Sequence, residues 1–331
     1  MVNPNIFEWL FLPVDHRKKI FQAVKHFDDV NPKADLGIFH KKVSFPMLGQ
    51  VKRDGVFAAY IVGNYGDAAI YNRTGKMNTN TSCLLATLDE LRLRPGIYLG
   101  EMLSSHPCSL EELSGAVSPK RKAELSTDKD GCNQVAIAAC LYIDFFDHIT
   151  LGEFTLGVSQ RPYTERHAHV MNMPQFAEGL VTMLPYFKID NYAQLLEFSD
   201  SMIAMKQEGA VFKQDVEWLC TAKDWHQMKI VRGVHYDLLC IDYEDGNGKD
   251  KGHVSNLMFQ YKDGAVIKCS PGRHWDYPAR KELFDNAVAE NEDSPVGHIY
   301  HVKALQESSK NGVLRLPKFR ERRDDKPEPD F

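Results

Sequence analysis

Lys52-Arg53-Asp54-Gly55 is the segment of this chain whose residue types are hardest to explain by packing alone. It adjoins a run from Gln50 to Gly63 rich in Val, Ala, Tyr and Ile, and reads as the start of a strand. An ammonium among apolar strand residues costs desolvation unless it is paired, which makes Lys52 a candidate for chemistry. A K-x-D-G tetrapeptide by itself is more often a surface turn, so its weight comes from an ordered series downstream. That series is Asn72-Arg73-Thr74-Gly75, Gly100-Glu101 ending an apolar strand, Phe146-Asp147 closing another apolar run, Glu208-Gly209-Ala210-Val211-Phe212-Lys213, and Met228-Lys229. A lysine with a pKa of about 10.4 is almost wholly charged at neutral pH, so one that reacts needs neighbours that disfavour its ammonium. That is a reason for several lysines to converge. Histidine and cysteine show no comparable pattern. The 13 histidines include His167-Ala168-His169 but no H-E-x-x-H, and the seven cysteines form no C-x-x-C pair, so no zinc site is expected.

Taken in order and spacing, these segments resemble the nucleotidyltransferase motifs of ATP-dependent polynucleotide ligases. The segment Gly312-Val313-Leu314-Arg315-Leu316-Pro317-Lys318-Phe319, followed by Arg323-Asp324-Asp325-Lys326, is similar to the closing segment of the DNA ligase subfamily. The resemblance runs from Phe45 to Lys326, and the compact chain is similar to small bacteriophage and viral DNA ligases. It implies nick sealing in duplex DNA with ATP and Mg2+ (or Mn2+). Lys52 would be the nucleophile that forms lysyl-AMP, with Asp54 sharing in cofactor binding. Gln50 would meet the adenine amino group and Phe146 would stack on the base, with Tyr142 and Phe145 as rival stackers. Glu101 would contact ribose or a catalytic metal, and Glu208 would position metal. Arg73 would engage the 5′-phosphate of the nick, Lys213 and Lys229 the α-phosphate, and Arg323 and Lys326 the pyrophosphate. Two positions depart from the family pattern: Phe57 stands where a cation is usual, and Gln227 replaces the first lysine of a K-x-K, with His226 or Lys223 as substitutes. An RNA ligase, a capping guanylyltransferase and a catalytically impaired nick-binding protein are the alternatives. The default state is a monomer on nicked double-stranded DNA.

The elements that must position these residues can be outlined. At 331 residues, 43% of them hydrophobic, the chain is long enough for about two domains. A net charge of −5 excludes a uniformly basic nucleic-acid binder but leaves 40 Lys and Arg for a local basic surface. Scattered cysteines argue for a reducing, cytoplasmic compartment. The apolar patch Ile6 to Leu12 is too short for a membrane span and reads as a buried anchor. Helices are predicted over 14–29, Met173 to Met183 and Tyr192 to Met205. A hairpin turns at Asn64-Tyr65-Gly66-Asp67, a strand covers Gly96 to Met102, loop and helix fill Ser104 to Asp130, and Val135 to Ile149 holds a buried strand with flanking helical residues. The expected fold class is α+β: a nucleotidyltransferase (adenylation) domain with antiparallel sheets over 1–229, then an all-β OB-fold barrel over 230–331. Pro327 to Phe331 reads as a solvated tail.

Overall fold

The computed structural model describes all residues except 1–4, 10–20, 28–42, 129–131, 173–180, 221–224, 273–274 and 308–312. The chain divides into two compact units, Met1–Ile230 and Val231–Phe331.

Two five-stranded sheets build the first unit. One has the order Ala68–Tyr71, Val56–Val62, Gly96–Ser104, Leu141–Ile149, Val181–Met183. Its strands are apolar almost without alternation because both faces are covered. Ala58, Tyr60, Tyr98 and Phe145 pack with Leu84 and Leu88 of the Ser82–Glu90 helix on one face. Phe57, Ala59, Ile97 and Leu99 pack with Phe21, Phe154 and Trp218 on the other. The second sheet has the order Lys25–His26, Gln227–Val231, Gly209–Lys213, Met47–Lys52, Phe187–Ile189. Here the alternation is clean. Met47, Ala210, Phe212 and Met228 are buried in a core completed by Leu195 of the Tyr192–Ala204 helix. Gln50 and Lys52, Val211 and Lys213, and Gln227 and Lys229 occupy the opposite face, since successive residues of a strand point to opposite sides.

The stretch expected as one strand from Gln50 to Gly63 is divided between the sheets. Lys52 closes a strand instead of starting one, and Arg53 to Gly55 carry the chain across. A β-carbon on Gly55 would lie 2.6 Å from the Met102 carbonyl oxygen and 2.8 Å from Glu101 Cγ, so only glycine fits this crossing. The Asn64–Asp67 hairpin, the Gly96 strand, the helix–strand unit at 134–149 and the helix from Tyr192 form where predicted. In the predicted 14–29 helix, residues 14–20 and 28–29 lie outside the described residues. Between them Lys25–His26 is a strand, parallel to Met228 and Lys229, because Phe21 and Phe27 are drawn into two different cores. Of the Met173–Met183 helix, 173–180 lie outside the described residues, and Val181–Met183 is an edge strand beside Ile143–Phe145. Ile6–Trp9 is a short helix with Ile6 and Phe7 buried; residues 10–12 lie outside the described set.

The second unit is a closed five-stranded barrel of Val234–Asp245, Val254–Gln260, Val266–Pro271, Lys318–Arg322 and Ile299–Ala304. It is not all β. A 13-residue helix, Tyr277–Ala289, lies between its third and fourth strands in chain order, started by the Asp276 cap, whose carboxylate accepts from Ala279 N, with Pro278 in the first turn. The chain end is also not a free tail. Asp330 bonds the backbone of Asp237 in both directions, and the Phe331 ring lies 5.3 Å from those of Tyr236 and Tyr261. At the barrel centre, fully buried Phe319 packs against Trp275 at 5.4 Å and Tyr300 at 6.1 Å. Phe319→Ala is expected to destabilise this unit by about 3–5 kcal/mol, the usual cost of such a cavity, measured by denaturant titration of tryptophan fluorescence. A loss below about 1 kcal/mol would show that the barrel collapses onto the space without penalty.

Candidate active site

The charged face of the second sheet and the crossing at Gly55 define one cavity of about 390 Å3. Gln50, Lys52, Arg53, Lys213 and Lys229 line it from that sheet, with Gln227 beside them; Arg73, Glu101 and Phe146 come from the other sheet and its turns. The register explains the first contact. Gly209 lies opposite Lys52, so Glu208, one residue earlier, meets Lys52 Nζ in an ion pair. Nζ also donates to the Arg53 carbonyl at 3.3 Å. Phe57 lies opposite Glu101 across the other strand pair.

Desolvation dominates the electrostatics. It raises the Glu101 carboxyl to about 7 against the opposing charges of Lys52 and Arg73, while Glu208 and Asp54 push it the same way as burial. It lowers the Lys229 ammonium, and Lys52 and Arg73 add to the effect. Lys213 is 3% exposed, and its Nζ has no hydrogen-bond partner among the described residues. That Nζ lies 4.0 Å from the Tyr163 ring centre and 4.7 Å from that of Phe146. Burial brings its pKa down to about 7, with Asp147 opposing and Arg166 reinforcing the shift. An ammonium that meets ring faces and, among the described residues, makes no hydrogen bond is equipped to receive an anion.

Phe57 occupies the position where a cation was expected for a physical reason. It is buried against Phe21 at 5.2 Å, and its ring carries the Arg73 guanidinium 4.3 Å from its centre, so a cation reaches the cavity from the neighbouring strand pair. Arg73 also donates to the Gln22 carbonyl at 3.3 Å. Gln227 donates to Gln22 Oε1 at 2.8 Å; His226 does not line the cavity, and Lys223 lies outside the described residues. Among the three aromatic alternatives, Phe146 alone lines the cavity: Phe145 is fully buried in the helix-side core, and Tyr142 lies off the lining. Gln50 is 2% exposed and donates from Nε2 to the Leu184 carbonyl at 2.9 Å. Asp54 stays in the crossing, where its charge acts on Glu101.

Two ion pairs escaped sequence reasoning. Arg53 binds Asp144 at 2.7 Å and Gln207 at 3.0 Å. Arg166 binds Asp147 at 3.0 Å, both side chains nearly fully buried. The available signal was the pair of aspartates inside the apolar strand Leu141–Ile149, each of which needed a partner. Arg323 and Lys326 belong to the second unit, where both bind Asp237, at 3.0 and 2.9 Å, beside His301 at 3.0 Å. Burial works to raise the Asp237 carboxyl, yet bonds from Lys326 and His301 and the Arg323 charge hold it below the ordinary range.

Among the described residues, no group of three or more His, Cys, Asp or Glu is arranged to hold a metal, and no helix is long and apolar enough to cross a membrane. Neither family models nor curated proteins give a match to the sequence. Solved structures do match it in shape. A structure named Pmar-Lig_Pre superposes with a TM-score of 0.72 at 19% identity, over 93% of this chain and 68% of that one. A Lig E DNA ligase described as binding DNA with a minimal scaffold gives 0.64 at 15% identity, over 94% of this chain and all (100%) of the other. The ATP-dependent DNA ligase of bacteriophage T7, in complex with ATP, gives 0.52 at 16% identity over 94% and 100%. The chain therefore has the fold of these structures, a two-sheet unit followed by a barrel of the OB type.

The buried lysine makes a pH-dependent prediction. Because the folded value of about 7 lies below the ordinary 10.5, the unfolded chain binds the extra proton between those values. Lys213 therefore lowers stability at pH 7 and below, and that loss is recovered as the pH rises towards 10.5. Lys213→Met is expected to raise the nucleotide-free Tm at pH 6 by more than about 2–4 °C, the shift produced by ~1 kcal/mol in a domain of this size. The gain should fade by pH 10.5. A gain of equal size at both pH values would show that packing and not charge is responsible.

Proposed function

We propose that this chain is an ATP-dependent DNA ligase that seals nicks between a 3′-hydroxyl and a 5′-phosphate in duplex DNA. The observation that carries the reading is the convergence, in one cavity, of Lys52 with a base-edge amide, an aromatic ring and the cations Lys213, Lys229 and Arg73. Lys52 Nζ attacks the α-phosphorus of ATP, the bond to the β-phosphate oxygen breaks, and pyrophosphate leaves. An oxygen of the nick 5′-phosphate then attacks the same phosphorus, breaking the P–N bond and moving AMP to the DNA. The 3′-hydroxyl finally attacks the 5′-phosphate, and AMP departs. The amine attacks only after losing its proton, and Glu208, bonded to Nζ, is the acceptor at hand.

Each step displaces an oxygen or nitrogen from phosphorus, so positioning and charge neutralisation supply most of the catalysis. Gln50 and Phe146 hold the base, Lys213 and Lys229 the α-phosphate, and Arg73 the nick phosphate. Glu101 and Glu208 offer hard oxygens within electrostatic reach of one another. Mg2+ commonly takes one or two carboxylates together with substrate phosphates, and this donor set fits that habit. A bound Mg2+ or Mn2+ would supply neutralisation of phosphate charge. The partner is nicked duplex DNA, met by a monomer in the cytoplasm.

Incubation with α-labelled ATP or GTP and magnesium, followed by denaturing electrophoresis, tests the reading. Label from ATP supports it, label from GTP alone indicates a capping enzyme, and no label indicates a binding protein. Lys52→Ala is expected to abolish the covalent adenylate, and labelling at the wild-type level would refute the assignment of the nucleophile. Arg323→Ala with Lys326→Ala is expected to slow self-adenylylation at least about tenfold more than sealing of a pre-adenylylated nick, since their contacts to departing pyrophosphate exist only in the first transition state. Equal losses would make the pair a prop of the barrel through Asp237.

A further inference from the structure

We propose that residues 327–331 form an autoinhibitory strap, which holds Arg323 and Lys326 on Asp237 and so keeps them from the departing pyrophosphate. The inference rests on the nucleotidyl-transfer reading and adds to it an anion, inside the protein, that competes for the same two cations.

Asp237 is the competitor. It is 6% exposed, and its carboxylate takes Arg323 at 3.0 Å, Lys326 at 2.9 Å and His301 at 3.0 Å. A carboxylate removed from water holds its cations, because losing one leaves a buried charge uncompensated. Both cations are fully engaged within the barrel. Arg323 gives Nη1 to Asp237 and its Nε and Nη2 to Asp325, each at 2.8 Å. Lys326 is shared between Asp237 and Asp330, the latter at 3.3 Å. Protons given to these carboxylates are not available to a phosphate group, so the nucleotide has to win them from Asp237. Whatever fastens the cations there slows the first step.

The strap is fastened beside that carboxylate at two places. Asp330 pairs with the backbone of Asp237 itself: its N–H donates to the Asp237 carbonyl at 2.8 Å, and its carboxylate accepts from the Asp237 N–H at 2.7 Å. Phe331, the next residue, lies under Lys262, whose Nζ is 5.2 Å from the ring centre, and against the rings of Tyr236 and Tyr261. Glu307 braces this cradle by accepting from both tyrosines and from Lys262. Pro327 and Pro329 restrict the backbone between Lys326 and Asp330, which reduces the entropy lost when the strap docks. One carboxylate on the barrel and one on the strap thus hold Lys326 together. Phe331 remains 37% exposed and is no part of the core around Phe319, so the strap can lift from the surface while that core stays closed.

Phe331→Ala removes the anchor without altering any charge. The single-turnover rate of enzyme–AMP formation from α-labelled ATP is expected to rise at least about threefold, as the loss of one aromatic contact would allow. Sealing of a pre-adenylylated nick, which releases no pyrophosphate, should change less than about twofold. An unchanged or lower rate of enzyme–AMP formation overturns the proposal, as does an equal rise in both assays. In an Asp237→Asn background no carboxylate is left to compete, and Phe331→Ala should change the rate less than about twofold; a rise as large as in the unsubstituted background also overturns it. If Phe331→Ala does not fold, Asp330→Asn carries the test. Its amide oxygen can still accept from the Asp237 N–H, but the charge that holds Lys326 is gone, so enzyme–AMP formation should rise at least about twofold, and no rise overturns the proposal. Absence of label from ATP in the wild type overturns the parent reading and this one with it, an outcome distinct from all the others.

Discussion

Lys52 can stand in the wall of this cavity because Glu208 meets it across a strand pair, and the rest of the first unit is arranged around that contact. The two side chains are 19% and 16% exposed, so neither charge is fully hydrated, and a pair in that condition depends on its geometry. Geometry here means register. With Gly209 opposite Lys52, the face that carries Glu208's partner also carries Gln50, Lys213 and Lys229, while Met47, Ala210, Phe212 and Met228 fill the core behind. A slip by one residue would exchange the two faces of the moving strand, burying charge and exposing the core. The hydrophobic pattern that folds the sheet therefore also aligns the site.

A second sheet is needed because one charged face cannot make a pocket. Glu101 arrives from it, and the Gly55 crossing brings the two sheets close enough for Glu101 to feel Lys52, Glu208 and Asp54 together. The same approach accounts for Phe57. Its position falls on a buried face with Phe21, where an arginine side chain would have to be desolvated, and the cation is supplied instead by Arg73 lying on the Phe57 ring. Behind the wall, Asp147 with Arg166 and Asp144 with Arg53 hold buried carboxylates in pairs. Breaking such a pair by removing one partner leaves an uncompensated charge, which makes these residues structural necessities of the site.

Within the barrel, a similar logic centres on Asp237. Its carboxylate accepts from Arg323, Lys326 and His301, and its backbone is bonded by Asp330 near the chain end. The cations of the closing motif thus have a defined resting partner inside their own unit, and the residues after them are folded back onto the barrel by Phe331.

The sequence by itself determined the ordered set of reactive residue types, the strand runs and the barrel, because these are written in local order: alternation, apolar runs and turn residues act over a few positions. Resemblance of the ordered motifs to a known family singled out Lys52, Glu101, Glu208, Lys213 and Lys229, and grouped Arg323 with Lys326. It was not enough to separate Phe146 from Phe145, neighbours of similar chemistry in an apolar strand whose two faces differ only once helices cover one of them. Nor could it locate the break at Gly55, the helix at Tyr163, or the partners of Asp144, Asp147 and Asp237. The partners of those three aspartates lie 19 to 91 positions away, and an ion pair leaves no local trace in the chain. Only the tertiary structure, by bringing two sheets to one cavity, decided which lysine is buried without a hydrogen bond among the described residues and which carboxyl burial holds above its ordinary range.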